Sequence, residues 1–224
     1  MNILDLTDWC VRDVRRSHPA LVGKKPFARG SRAALFEGST PERVFKLTVD
    51  QPSYLYLTDG TAPTGVHVPI VFEDHGEIGT TSRDEPMYLV ETERLYRRPR
   101  GYALSRVLRQ AYEMAEEEYR NNDYRFPPSL PDLDDQPEWL PIGLARFFAE
   151  LNVFVSNTES RLDLCWRSNY MVRANGELVA SDPVFDSAAG ARKCSPARGM
   201  APLPPHILAQ AQQGQLERAE HRAF

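Results

Sequence analysis

Apolar and polar positions change period several times along the chain. Between residues 3 and 16, Ile3, Leu6, Val11 and Val14 stand among charges at near-helical spacing, with Thr7 or Asp8 available to cap the first turn. A short N-terminal helix is expected there. His18-Pro19 and Lys24-Lys25-Pro26 then punctuate the chain, because proline drives its predecessor out of helical geometry. From Phe27 to Val49 the text reads as a glycine-containing turn between two strands. Val44 to Val49 is a β-branched and aromatic run, and Gly38-Ser39-Thr40-Pro41 is the turn before it. A second strand pair, Val66 to Phe72 and Met87 to Val90, is joined by a polar segment holding Gly76, Gly79 and Asp84. Together these runs predict a small antiparallel sheet.

After Leu95 the period becomes helical, roughly from Leu104 to Tyr119. Prolines at 127, 128, 131 and 137 exclude regular structure from the acidic stretch that follows. Leu140, Leu144, Phe147, Phe148, Leu151 and Val155 then fall at helix spacing, which predicts an amphipathic, central helix packed in the core. Two short strands, Tyr170 to Val172 and Glu177 to Ala180, flank Ala174-Asn175-Gly176, a hairpin signal. Beyond Gly190 the sequence loosens, and Ile207 to Arg222 has at most the makings of a marginal helix. The division that follows is an N-terminal helical extension (1–26), a sheet-bearing unit (27–95), a mainly helical unit (96–190) and a C-terminal tail (191–224). The fold class is α+β.

Composition adds bounds rather than identity. With 224 residues, 42% of them hydrophobic and 26% charged, the chain has the make-up of a soluble globular protein. No long apolar run exists, and the first residues carry acids where a signal peptide would be basic, so a cytoplasmic location is expected. Cys10, Cys165 and Cys194 are an odd number without metal-ligand spacing and are expected as free thiols. A net charge of −4 gives no global attraction to nucleic acid or membrane. Charge is uneven, however. Six arginines lie in residues 94–109 and nine acids in residues 113–138, which reads as a solvated insertion or as a docking surface for a partner protein. The five histidines are scattered, and Ser31 and Ser39 have no histidine partner, so neither a histidine metal cluster nor a serine hydrolase is supported.

Chemistry enters through the order of a few residues. The chain offers a glycine turn, Ala28-Arg29-Gly30-Ser31-Arg32-Ala33, and then a lysine, Lys46, inside an apolar strand where it needs a partner or an exit to water. Much later come Asp163, Asn169 and Asp182-Pro183-Val184. A glycine turn lets backbone amides approach phosphates, a strand lysine grips them, and an amide with a carboxylate can hold magnesium on phosphate oxygens. Asn169 and Asp182 are thirteen positions apart around the predicted hairpin.

That order and that spacing resemble a protein kinase. More narrowly, Phe27 to Phe36, Arg43 to Lys46, Pro69 to Phe72, Arg146 to Phe148 and Ser181 to Val184 resemble the early serine/threonine protein kinases of short-tailed coliphages, over about residues 27–190. The resemblance implies a two-lobed fold, with a sheet lobe over 27–95, a connecting segment near Glu91 to Leu95, and a reduced helical lobe over 96–190. It implies ATP under Gly30, Ser31 and Ala33, held by Lys46 and met at Glu91, with Asp163 and Lys46 as catalytic residues and Asn169 and Asp182 as magnesium ligands. Host proteins are the implied substrates, phosphorylated in the host cytoplasm to support host shutoff.

Three departures stand beside the likeness. Asp163 and Asn169 are six positions apart where the family has five. Ala28 and Ala33 replace the outer glycines of the loop, and Gln51 to Gly65 contains no glutamate to pair with Lys46. The extra position, the absent glutamate and the lack of a recognisable substrate-side helical subdomain after Asp186 motivate a second reading, a kinase-like module that binds and inhibits a host protein without catalysing. A small-molecule phosphotransferase, which would share the two-aspartate pattern, is a third.

Overall fold

A computed structural model describes residues 4–110, 113, 141–158, 160–163 and 169–186. The fold is mixed α+β, built on a five-stranded antiparallel sheet. The chain enters through α1 (Trp9–Ser17), capped by Asp8, whose carboxylate accepts the Cys10 amide at 2.9 Å. Arg15 and Arg16 in its last turn meet the negative end of the helix dipole. Three strands follow, β1 (Pro26–Arg29), β2 (Ala33–Glu37) and β3 (Arg43–Thr48), where the sequence reading expected two. A helix, α2 (Gln51–Thr58), leads to β4 (Val71–Thr80) and β5 (Pro86–Glu93), giving the order β1-β2-β3-β5-β4.

The two faces of this sheet have different covers. Ala34, Phe36, Phe45, Leu47, Met87 and Leu89 share one face and pack with Leu4, Val11 and Leu21 into a single buried cluster. Residues 1–26, set apart in the sequence as an extension, therefore contribute to the sheet's own core wherever they are described. The opposite face carries Lys46, with Leu35 and Val90 directly beside it on the neighbouring strands. There α2 wedges in, its Tyr54 ring stacked on Tyr88 at 4.3 Å.

The expected strand Val66 to Phe72 lies elsewhere. Residues 66–68 are held by the hairpin of β7 (Tyr170–Val172) and β8 (Leu178–Ala180), where Ala180 donates its amide to His67 and the Arg173 guanidinium donates to the Val66 and Val68 carbonyls. Pro69 cannot donate to a ladder, and strand β4 starts only at Val71. Its register shifts three times, with Gly76 and Gly79 at positive φ, so the polar segment taken for a connector is itself an irregular edge strand.

A second buried cluster lies beyond α2. Helix α3 begins at residues 105–110, and α4 (Ile142–Asn157) buries Leu144, Phe147, Phe148, Leu151, Phe154 and Val155 against Tyr56, Tyr170, Val172 and Ala180. Strand β6 (Ser160–Leu162) pairs with β9 (Val184–Asp186). The Asn175-Gly176 turn closes the β7–β8 hairpin, with Gly176 at φ 85° and the Glu177 amide donating to the Asn175 side chain at 3.0 Å. Bonds between the clusters include the antiparallel bridge of Tyr96 with Val172 and the Arg173–Glu93 ion pair at 2.7 Å. Among the described residues no helix is long and apolar enough to cross a membrane. Cys165, Cys194, most of the acidic stretch and the tail from 191 lie outside the described residues.

Candidate functional site

Lys46 is where the sheet and the rest of the chain meet. Strand alternation turns it toward α2, and only 8% of it reaches solvent. Its ammonium donates to Ser53 Oγ at 2.8 Å and to Asp182 Oδ1 at 3.1 Å. Ser53 Oγ donates its own proton to the same carboxylate oxygen of Asp182. Helix α2 presents Ser53 because Pro52 suits the first helical turn, where its missing N–H goes unused, and because Tyr54 and Tyr56 anchor the helix on opposite sides. Tyr56 reaches across to donate its hydroxyl proton to the Ala180 carbonyl at 3.0 Å, two residues before Asp182. Burial holds the Tyr56 phenol well above its ordinary pKa, so it acts there as a neutral donor.

Asp163 and Asn169 arrive from the other side. The Asp163 amide donates to the Pro183 carbonyl at 2.7 Å, extending the β6–β9 ladder by one residue. The Asn169 side-chain amide donates to the Asp163 carbonyl at 2.8 Å, and the Asn169 carbonyl accepts from the Ser181 amide at 2.7 Å and from the Ser181 hydroxyl at 3.1 Å. Asp163, Asn169 and the Ser181-Asp182-Pro183 turn are thus one hydrogen-bonded knot, and Asp182 ties that knot to Lys46. Four polar residues singled out from the sequence come together. The intervening residues 164–168, which contain the extra position, lie outside the described residues.

The glycine turn behaves differently from its sequence reading. Gly30 and Ser31 are exposed, Gly30 donates its amide to the Ala33 carbonyl at 2.8 Å, and Ser31 accepts from the Leu4 amide at 2.9 Å. Gly30 has no positive φ, and a Cβ there would meet only the Ala33 carbonyl oxygen, at 4.0 Å. The fold itself does not require glycine at 30. Ala33 starts β2, opposite Thr48. Between them Arg32 turns inward, 4% exposed, and pairs with Asp50 at 2.8 Å and with Asp186 at 4.0 Å.

Comparison with protein-family models, with curated proteins and with solved structures finds no match.

Glu91 stands apart from the other predicted site residues. It lies inside β5, opposite Phe45, so its carboxylate is on the sheet face away from Lys46. It accepts from the Ser39 amide at 2.6 Å and pairs with Arg43 at 3.2 Å, which clamps the β2–β3 turn. Burial pushes the Glu91 carboxyl up, but the Ser39 and Arg43 bonds outweigh burial and leave it below its ordinary value. Any ligand contact at this position would have to use the main chain. Sequence reasoning also missed Ser53, Arg32, Asp50 and Asp186. The segment after Lys46 offers a hydroxyl where an acid is the usual partner of such a lysine, and an arginine in a glycine turn reads as solvated until its burial is known.

Chemically, the cluster offers one ammonium, one carboxylate that is partly open to solvent at 27% and one side-chain amide, with Asp163 joined to it through its main chain. Among the described residues no three His, Cys, Asp or Glu side chains gather as a self-sufficient metal site. Any cation here would take Asp182 and the Asn169 amide oxygen and complete its shell from a ligand, as hard cations do with phosphate oxygens.

Proposed function

We propose that the chain is a serine/threonine protein kinase of the type found in short-tailed coliphages, using ATP and magnesium to phosphorylate host proteins. The proposal includes a two-lobed, kinase-like arrangement, with residues 27–95 as the sheet lobe and 96–190 as a reduced helical lobe. One observation carries it: Lys46 and Asp182, 136 positions apart, meet at 3.1 Å beside a knot that also contains Asp163 and Asn169. A lysine in an apolar strand, paired with the carboxylate of an Asp-Pro turn next to an Asp and an Asn, is the donor set that phosphoryl transfer needs.

When bound, ATP with magnesium supplies the phosphoryl group and a cation that neutralises its charge. The Lys46 ammonium would bind phosphate oxygens, and Asp182 with the Asn169 amide oxygen would hold the cation. Asp163 orients the acceptor hydroxyl and accepts its proton. The hydroxyl oxygen then forms its bond to the terminal phosphorus, while the bond from that phosphorus to the bridging oxygen breaks and its electron pair leaves with the diphosphate. Ser31, exposed at the turn, would offer its backbone amide to the phosphates, the Gly30 amide being held by the Ala33 carbonyl.

Asp163→Asn is expected to cut radiolabel transfer from ATP to host-lysate proteins by about 100-fold or more, with an unchanged melting temperature. Undiminished transfer would remove Asp163 from the chemistry. The non-catalysing module has a specific observation in its favour as well: α2 contains no acid, and among the described residues the Lys46 ammonium donates to Ser53 and Asp182. Melting-temperature gain with nucleotide and magnesium, without transfer by the unaltered chain, would select the module.

A further inference from the structure

Helix α2 reads Gln51-Pro52-Ser53-Tyr54-Leu55-Tyr56-Leu57-Thr58 and puts a hydroxyl, not a carboxylate, against Lys46. An ammonium has three protons to give and accepts none, so Ser53 must accept from Lys46 and pass its single proton to Asp182. The polarity of the ring is therefore fixed. Lys46 donates twice, Ser53 relays, and Asp182 Oδ1 accepts both. Because the serine is neutral, the only negative charge seated on the ammonium within this ring is that of Asp182, the carboxylate a cation would also need.

From this ring we infer that Ser53 is a positioning residue that makes nucleotide and magnesium bind cooperatively. The inference rests on the reading of the cleft as a nucleotide site. A cation at Asp182 withdraws that carboxylate from Lys46, and a phosphate at Lys46 withdraws the ammonium from Asp182. Either ligand alone must weaken the Lys46–Asp182 bond, a cation leaving the buried ammonium and a phosphate leaving the partly exposed carboxylate without its partner. When both bind, the same bond is given up only once. The strength of that bond, braced by the Ser53 hydroxyl, thus becomes coupling free energy between the two ligands, and the coupling is reciprocal. A carboxylate at 53 would hold Lys46 independently of Asp182 and uncouple them. An alanine would remove the brace while leaving the helix and its packing unchanged.

The test uses the full chain and a fluorescent N-methylanthraniloyl ADP, titrated with excess chelator and again with saturating magnesium. The ratio of the two dissociation constants is the coupling factor. Magnesium's own attraction for the diphosphate enters every variant equally, so differences between variants report the protein's share. The unaltered chain and Ser53→Thr are expected to agree within about twofold, whereas Ser53→Ala and Ser53→Glu are expected to lower the factor by about three- to tenfold. Ser53→Ala keeps the test decisive should the buried glutamate prevent folding. Equal coupling factors in the unaltered chain and Ser53→Ala would overturn the role of Ser53 while leaving the nucleotide site standing. No binding by the unaltered chain, with or without magnesium, would overturn the site itself and this inference with it.

Discussion

Two charge clusters sit one helical turn apart along α2, and they are built from similar parts. At the helix start Arg32 meets Asp50 and Asp186, and at Ser53 Lys46 meets Asp182. Both join the sheet to the segment that begins at Asp182. Their surroundings differ. Asp50 is 1% exposed, is fixed by the Asp186 amide at 3.2 Å, and itself donates its amide to Thr48 Oγ1 at 3.0 Å, while the Arg32 carbonyl accepts from Val49 and Thr48. The Arg32–Asp50 pair is closed, and only Asp186 at its rim, 33% exposed, reaches water. Asp182 by contrast keeps a side open to water, next to the Asp163–Asn169 knot. A closed ion pair can only hold the fold, whereas an open one can exchange its partner for a ligand. That difference is what favours the second cluster as the ligand site under the proposed function.

Breaking each cluster should separate these roles. Arg32→Met strands the Asp50 carboxylate in the interior and is expected to cost about 3 to 5 kcal/mol in urea unfolding. Lys46→Met leaves a carboxylate that water can reach, so its cost is expected near 1 kcal/mol, with the effect falling instead on nucleotide binding. Equal losses from the two substitutions would erase the distinction between closed and open. A smaller effect should come from Glu91, which belongs with the closed group. Its carboxyl titrates below the ordinary value because of Ser39 and Arg43, so it binds fewer protons when folded than when unfolded. The stability it contributes is fully present above the unfolded-state pKa and drains away as pH falls through the lower folded-state value. Unfolding curves from about pH 6 down to pH 3 should therefore be flatter for Glu91→Gln than for the unaltered chain, and parallel curves would deny that linkage.

Much of this architecture was legible as periodicity. The core helix α4, the strand at Val44 to Val49 and the Asn-Gly hairpin rest on local signals, namely helical spacing of large apolar residues, β-branching and a turn glycine. Helix α2 was not, because Gln51 to Thr58 is apolar and aromatic on more than one side, with contacts to the sheet, to β8 and to β9, so no single stripe emerges. Strand β4 hid behind its glycines and charges, which suit an edge. The site was partly legible: residue order alone picked out Lys46, Asp163, Asn169 and Asp182, and the fold brings them to one place. Ser53 and Arg32 could not be read in the same way. A serine near the start of a helix and an arginine in a turn are ordinary surface residues in sequence, and only the tertiary fold buries them against Asp182 and Asp50.

The central claim is that Lys46 and Asp182 form a ligand-exchanging pair that receives a nucleotide with its cation. Thermal unfolding of the full chain with and without a non-hydrolysable ATP analogue and magnesium tests it most directly, with Lys46→Met alongside. A clear rise in melting temperature is expected for the unaltered chain and none for Lys46→Met. An equal rise in both, or no rise in the unaltered chain at millimolar ligand, would contradict it.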